Sequence, residues 1–156
     1  MAALTWIHVI ISLIGIATGF VVVNGMLRSD PMDRWTVVFL VTTAATSITG
    51  FFFPVEHLLP SHIVGALSLL VLAVAIPARY IKHLAGAWRW LYVVGATIAL
   101  YFNMFVLVVQ AFLKVPALKA LAPTQSEPPF AAAQGVVLVA FLVLGVMTVK
   151  RFRPQS

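Results

Sequence analysis

Five long stretches of the chain contain no charged residue, and this feature limits the folds that are open to it. The stretches are Leu4–Leu27, Trp35–Phe53, His62–Ala78, Trp90–Leu113 and Phe130–Val149. They hold 24, 19, 17, 24 and 20 residues, and an α-helix needs roughly 17–25 residues to cross the hydrocarbon core of a bilayer. Because backbone polar groups in lipid must be paired within the segment, each stretch is expected to be a continuous helix. The sequence predicts one all-α membrane domain, residues 1–156, built as an integral bundle of five transmembrane helices.

The composition excludes several other classes of protein. Hydrophobic residues make up 62% of the 156 residues and charged residues only 9%, whereas about 25% is usual for a soluble domain. A soluble enzyme and a nucleic-acid-binding protein are therefore not expected. The chain contains no Cys, which excludes disulfides, thiolate metal sites and cysteine nucleophiles. The lipid bilayer is the expected surrounding of this chain.

The distribution of Lys and Arg predicts how the helices are oriented. If the loops alternate between the two sides, eight positive residues fall on one side and two on the other. The eight are Arg28, Arg34, Arg79, Lys82, Arg89, Lys150, Arg151 and Arg153, and the two are Lys114 and Lys119. Cytoplasmic loops carry the excess of positive charge. The N-terminus is therefore predicted outside and the C-terminus in the cytoplasm.

Small residues repeat at helical spacing in two of the predicted helices. Gly15 and Gly19 form a GxxxG pattern in the first helix, and Gly95 and Ala99 share one face of the fourth. Small residues allow helix backbones to approach closely in a membrane. These four residues are predicted to pack helices together, either within the chain or between two copies of it.

Weakly polar residues collect in the outer halves of the predicted helices. They are His8, Ser12, Thr46, Thr49, His62, Asn103, Gln110 and Gln134. An unpaired amide in hydrocarbon is costly, so Asn103 needs either a partner or a water-filled cavity. One interpretation is a polar ligand pocket that opens to the outer face between the first, second and fourth helices. The other is a set of interhelical hydrogen bonds without a cavity.

Histidines are the side chains here that suit a metal ion or haem. His8 and His62 both lie on the predicted outer side and could ligate one haem between them. Glu56, His57 and His62 offer one carboxylate and two imidazoles to a zinc or copper ion, although their spacing matches no known metal motif. No cofactor is predicted, and haem and a metal ion are alternatives.

Two parts of the chain resemble membrane proteins of bacteria. The run Leu100–Gln110 followed by Lys114–Phe130 is similar to small multi-pass bacterial membrane proteins whose activities are not established. The chain also resembles a second such family, at His62, Gly65, Arg79, His83, Gly86, Arg89 and Tyr92. Gly86-Ala-Trp-Arg89 departs from the pattern of that second family. The resemblance implies the cytoplasmic (inner) membrane of a bacterium and brings no catalytic residue.

The sequence carries no motif for catalysis. There is no P-loop, GxSxG or HExxH pattern, and no acidic residue lies within a predicted span. The chain is therefore predicted to be a non-catalytic accessory or interaction protein, with a second copy or another membrane protein as its partner. One alternative is a redox or ligand module that binds haem, a metal or a quinone in the outer pocket. The other is a subunit of a small transporter or channel.

Overall fold

The computed structural model describes residues 1–54 and 60–155, and it is helical without strands over these residues. The helices are α1 (Ala2–Leu27), α2 (Asp33–Gly50), α3 (Pro60–Tyr80), α4 (Ala87–Lys114), α5 (Pro116–Leu121) and α6 (Pro128–Arg151). The predicted all-α class is confirmed for this part of the chain. Most predicted segments are extended at their ends, and α3 continues through Pro77 to Tyr80.

Four of the described helices, not five, are long and apolar enough to cross a membrane. They are α1, α3, α4 and α6. The prediction of five spans is wrong at α2, which was expected over 35–53 but ends at Gly50 after 18 residues. Helix α2 is less apolar than the other long helices for two reasons. Its first turn contains the charged residues Asp33 and Arg34, and six of its residues are Thr or Ser.

Despite this composition, α2 packs along α1 in the antiparallel direction. His8 Nδ1 lies 2.8 Å from Thr49 Oγ1 near one end of the pair. Towards the other end, a Cβ atom on Gly19 would lie 2.9 Å from Phe39 Cε2. The buried residues of α2 include Thr36, Phe39, Leu40, Thr43 and Ser47. The hydroxyls that lower the hydropathy of α2 therefore lie mainly between helices, which is where such residues can find partners.

Helices α1, α2, α3 and α4 form a ring in which each helix contacts the next and α4 closes against α1. Helix α6 packs on the outside of this ring, against α4 and to a lesser extent against α1. Buried side chains fill the inside of the ring in the half that contains the end of α1 and the beginning of α4. Large side chains that are fully buried there include Met26, Phe39, Leu72, Tyr92 and Leu100.

Arginine side chains connect the helices at the end of this packed half. Arg79 is buried, pairs with Asp33 and donates a hydrogen bond to the carbonyl of Pro31 at 2.9 Å. Its guanidinium carbon lies 5.0 Å from the ring centre of Tyr92, within the range of a cation–π contact. Arg89 donates to the carbonyl of Val149 in the last turn of α6 at 3.0 Å, and to the carbonyl of Phe152 directly after the helix. The last carbonyls of a helix have no partner within it, so Arg89 both satisfies such a group and holds α6 against α4.

The small residues singled out in the sequence lie inside the bundle. Gly15, Gly19, Gly95 and Ala99 are all buried. A Cβ atom on Gly15 would lie 3.4 Å from Thr43 Oγ1, and one on Gly95 would lie 3.0 Å from the Cβ atom of Ala75. The GxxxG face of α1 is thus occupied by α2 and α4 of the same chain, and it is not a free surface for a second copy.

Replacing Gly19 with Ala should destabilise the protein by about 1–3 kcal/mol, because an added methyl group would overpack this contact. The new Cβ would lie 2.6 Å from Leu100 Cδ1, and both Leu100 and Phe39 are fully buried and have little room to move. The free energy of unfolding of the purified protein in detergent would measure the effect.

The matched control is Gly135→Ala, the same change in α6 at a position with nothing within 4 Å of the added Cβ. This variant should be neutral or more stable by up to about 1 kcal/mol, because Ala restricts the unfolded backbone and favours a helix. Equal losses of stability in the two variants would contradict the close contact at Gly19.

Candidate ligand cavity

A cavity of about 550 Å³ lies inside the ring of α1–α4. It occupies the half of the bundle where α1 and α3 begin, opposite to the arginine contacts. All four helices of the ring contribute residues to its lining. Pockets that take small molecules usually enclose 300–1,000 Å³, so its size is suited to such a ligand.

The structure brings six of the eight predicted pocket residues to this cavity. They are His8, Ser12, Thr46, His62, Asn103 and Gln110. Thr49 lies behind the lining, where its hydroxyl is paired with His8 Nδ1. Gln134 lies apart on α6 and donates to the carbonyl of Phe105 at 3.1 Å. The predicted walls omitted α3, which contributes Gly65 and Ser68 to the lining. That the cavity takes a ligand stays a prediction.

We call the deep end of the cavity, at Asn103 and Ser68, the floor, and the end at Gln110 and Lys114 the mouth. At the floor, Asn103 Nδ2 donates to Thr43 Oγ1 at 3.1 Å. Asn103 thus has an interhelical partner and also lines a cavity. The structure therefore has an interhelical hydrogen bond at Asn103 and also a cavity beside it, whereas the sequence left these two as alternatives.

The hydroxyl groups along the cavity fall into two classes. Ser12 donates to the carbonyl of His8, and Ser47 donates to the carbonyl of Thr43, each four residues earlier in its own helix. Such bonds satisfy the hydroxyl without another helix. Thr46 Oγ1 and Ser68 Oγ are buried and have no hydrogen-bond partner among the described residues. Both residues line the cavity, and their hydroxyl oxygens are enclosed by the protein.

Ser68 was not identified from the sequence. It is 2% exposed and lies six residues after His62 on α3, with Gly65 halfway between them. This three-residue spacing places the three residues on one side of a helix. It is the sequence signal from which Ser68 could have been identified. A serine within an apolar helix is common enough that the spacing alone does not distinguish a lining residue from a packing residue.

Aromatic rings form part of the cavity wall. The ring of His8 meets that of Phe53 edge-on at 5.2 Å between centres, and the ring of His62 lies 5.7 Å from that of Phe51. Phe102 also lines the cavity. Of the described lining residues, Lys114 at the mouth is the one with a charged side chain, and none has a carboxylate. The site can offer hydrogen bonds and apolar surface to an occupant.

The structure bears differently on the two cofactor alternatives. Glu56 and His57 of the suggested metal site lie outside the described residues. Within residues 1–54 and 60–155, no three His, Cys, Asp or Glu side chains are grouped so that they could hold a metal ion. His8 and His62, the suggested haem ligands, do line one cavity. Because His8 Nδ1 is hydrogen-bonded to Thr49 Oγ1, the other nitrogen of the His8 ring, Nε2, points away from Thr49.

Comparison with known proteins gives no relative for this chain: no protein-family model, curated protein or solved structure matches it. The bacterial origin implied by the sequence resemblance stays a prediction. Arguments about function therefore depend on the cavity itself.

A cysteine introduced at Ser12 or Asn103 should react with a polar thiol reagent in the detergent-solubilised protein, because both positions line the cavity. The chain has no cysteine of its own, so all labelling reports the introduced residue. Ala96→Cys is the control, since Ala96 is fully buried in the packed half, and it should be protected until the protein is unfolded. Protection of all three cysteines would contradict an accessible cavity.

Proposed function

We propose that this chain is a non-catalytic membrane protein that holds a small amphiphilic molecule in the cavity between α1, α2, α3 and α4. The observation that carries the proposal is a cavity of about 550 Å³ lined by Thr46 and Ser68, whose buried hydroxyls have no partner in the described chain. Buried polar groups in proteins are nearly always hydrogen-bonded. An occupant with polar atoms would complete this arrangement.

The remainder of the lining supports an occupant that is partly apolar. Val9, Leu13, Ile16, Val64 and Val106 all face the cavity. Water alone needs two to four polar partners for each molecule, which these aliphatic side chains do not offer. A molecule with both polar and apolar parts pairs the hydroxyls and also covers the aliphatic surface. This combination is typical of ligand sites, which are mostly apolar with a few placed polar groups.

The two other functions considered from the sequence have less support. The accessory role was suggested by small-residue faces, and those faces pack within the chain at Gly15, Gly19 and Gly95. A transporter or channel needs a path along the bundle. The half below Asn103 is filled by fully buried side chains such as Phe39 and Leu100. A cavity that opens towards one end and is closed at the other favours binding over conduction.

We also propose that the basic end of the bundle faces the cytoplasm and the cavity faces the opposite side. Contacts among the loops support a single basic end: Arg79 bonds to Pro31, and the N–H of Arg153 donates to Ser29 Oγ. The predicted cytoplasmic Lys and Arg residues therefore meet at one end, as the positive-inside rule requires. The inner membrane of a bacterium, which the resemblance noted in the sequence implies, is the location that we propose.

Orientation can be tested in intact cells with a membrane-impermeant thiol reagent. Ala120→Cys, on the exposed side of α5 near the mouth, should be labelled from outside. Gln155→Cys, beyond the end of α6, should be labelled only after the membrane is permeabilised, because it lies at the basic end. Labelling in the reverse order would overturn the proposed orientation.

The proposed function predicts that a small molecule co-purifies with the protein and is lost when the cavity is filled. Wild-type protein would be isolated in native-membrane nanodiscs and extracted, and the extract analysed by mass spectrometry. Val106→Trp should reduce the bound molecule about tenfold or more, a loss of 1.4 kcal/mol or more in binding, because the larger side chain occupies the cavity. Val139→Trp is the matched control, since Val139 is 60% exposed on α6, and it should retain the molecule.

Circular dichroism would verify that each variant keeps its helix content. If Val106→Trp does not fold, Val64→Phe is a smaller change at another lining position. A bound molecule that is retained equally by every folded variant would contradict the cavity as its site. Absence of any bound molecule from the wild-type protein would count against the proposed function.

A further inference from the structure

We infer that the ligand of this cavity is a para-quinone ring, bound with one carbonyl oxygen at the floor and the other at the mouth. The inference rests on the proposed function and adds the chemical class of the ligand. It is carried by the spacing of hydrogen-bond donors along the cavity, by the chemistry of the floor and by the aromatic side chains of the wall.

The donors on α4 have the spacing that such a ring requires. Asn103 and Gln110 both line the cavity, and seven residues place them on the same side of the helix, about 10 Å apart along its axis. The two carbonyl oxygens of a para-quinone are roughly 5 Å apart from bond lengths. A hydrogen bond of about 2.9 Å at each end brings the distance between donors to about 11 Å. The distance between donors across a bound ring therefore matches the spacing of the two residues along α4.

The floor offers a second donor from another helix. Ser68 on α3 is buried, and its hydroxyl has no partner in the described part of the chain. Asn103 Nδ2 uses one of its two hydrogens for Thr43, which leaves the other for an acceptor. A carbonyl oxygen has two lone pairs and can accept from both side chains at once. An aliphatic end at this position would leave the Ser68 hydroxyl unpaired.

The polar groups at the floor favour a quinone ring over an amphiphile that would place an aliphatic tail there. Lys114 lines the mouth, and the floor carries no charged side chain among the described residues. A fatty-acid-like anion would place its carboxylate near Lys114 and its aliphatic tail against Asn103 and Ser68. Burying polar groups against an aliphatic tail is unfavourable. A quinone ring instead presents oxygens at both ends and an apolar face between them.

The wall suits a flat ring. Phe51 lines the cavity from the turn that follows α2, and Phe102 lines it from α4. Aromatic rings pack favourably against one another in offset or edge-on arrangements. The aliphatic residues Leu13 and Leu107 remain available to the substituents or chain of the quinone.

The test is a binding titration of the wild-type protein in nanodiscs with three probes that share one alkyl chain. The probes are a decyl-substituted 1,4-benzoquinone, decanoate and decylbenzene, and calorimetry measures the affinity for each. The quinone should bind about tenfold or more tightly than the other two, because only it pairs donors at both ends of the cavity. Partition into lipid is subtracted with empty nanodiscs.

Variants at the floor locate the binding site. Asn103→Leu and Ser68→Ala should each weaken quinone binding about three- to tenfold, because each removes one hydrogen bond to the buried oxygen. Asn24→Leu is the matched control, since Asn24 is an exposed amide of α1 in the opposite half of the bundle, and it should bind as the wild type does. Ser68→Ala is the smaller change and retains the test if Asn103→Leu does not fold.

The outcomes separate the ligand class from the proposed function. Equal binding of decanoate or decylbenzene, or quinone binding that neither floor variant weakens, would overturn the quinone while the cavity remains a ligand site. A Soret band that forms with added haemin and is lost in His8→Ala would assign the cavity to haem and overturn the quinone as well. Failure of all three probes, together with wild-type protein that carries no bound molecule, would overturn both proposals.

Discussion

The close approach of α1 to α2 and α4 is the contact on which the rest of this structure depends. A side chain at Gly19 would clash with Leu100 and Phe39, and one at Gly15 would contact Thr43. From Gly19 onward the ring is filled by buried aliphatic and aromatic residues. From Gly15 towards the N-terminus it contains the cavity. The hydrogen bond from Asn103 to Thr43 lies at the boundary between these two halves.

The two halves use polar groups in different ways. In the packed half, polar side chains close contacts: Arg79 bonds to Pro31 and Asp33, and Arg89 bonds to the carbonyl of Phe152. In the open half, Ser12 bonds to its own helix, and the hydroxyls of Thr46 and Ser68 have no partner in the described residues. Because unpaired polar groups are costly in an apolar surrounding, the first arrangement stabilises the bundle and the second favours an occupant.

Helix α2 illustrates where reading the sequence succeeds and where it fails. The absence of charge over Trp35–Phe53 predicts a helix, and the structure has one over Asp33–Gly50. Absence of charge is a poor measure of hydrophobicity, however, because six Thr and Ser residues are also uncharged. Two of these residues, Thr46 and Thr49, were predicted to line the pocket because hydroxyls in an apolar helix need partners, and Thr46 does line it. Ser68 was missed because a single serine carries no such pattern.

The sequence by itself determined that this chain is helical and belongs in a membrane, since long uncharged runs have few other stable states. It also placed most of the polar lining at one end, because depth along a helix can be counted from the residue number. Tertiary structure alone decided which sides of the helices face each other. The rotation and spacing of the packed helices decide whether Gly19 contacts its own chain or a second copy. They also decide whether Asn103 lies in a contact between helices or beside a cavity. Those quantities arise from contacts between residues far apart in the chain, and local sequence does not encode them.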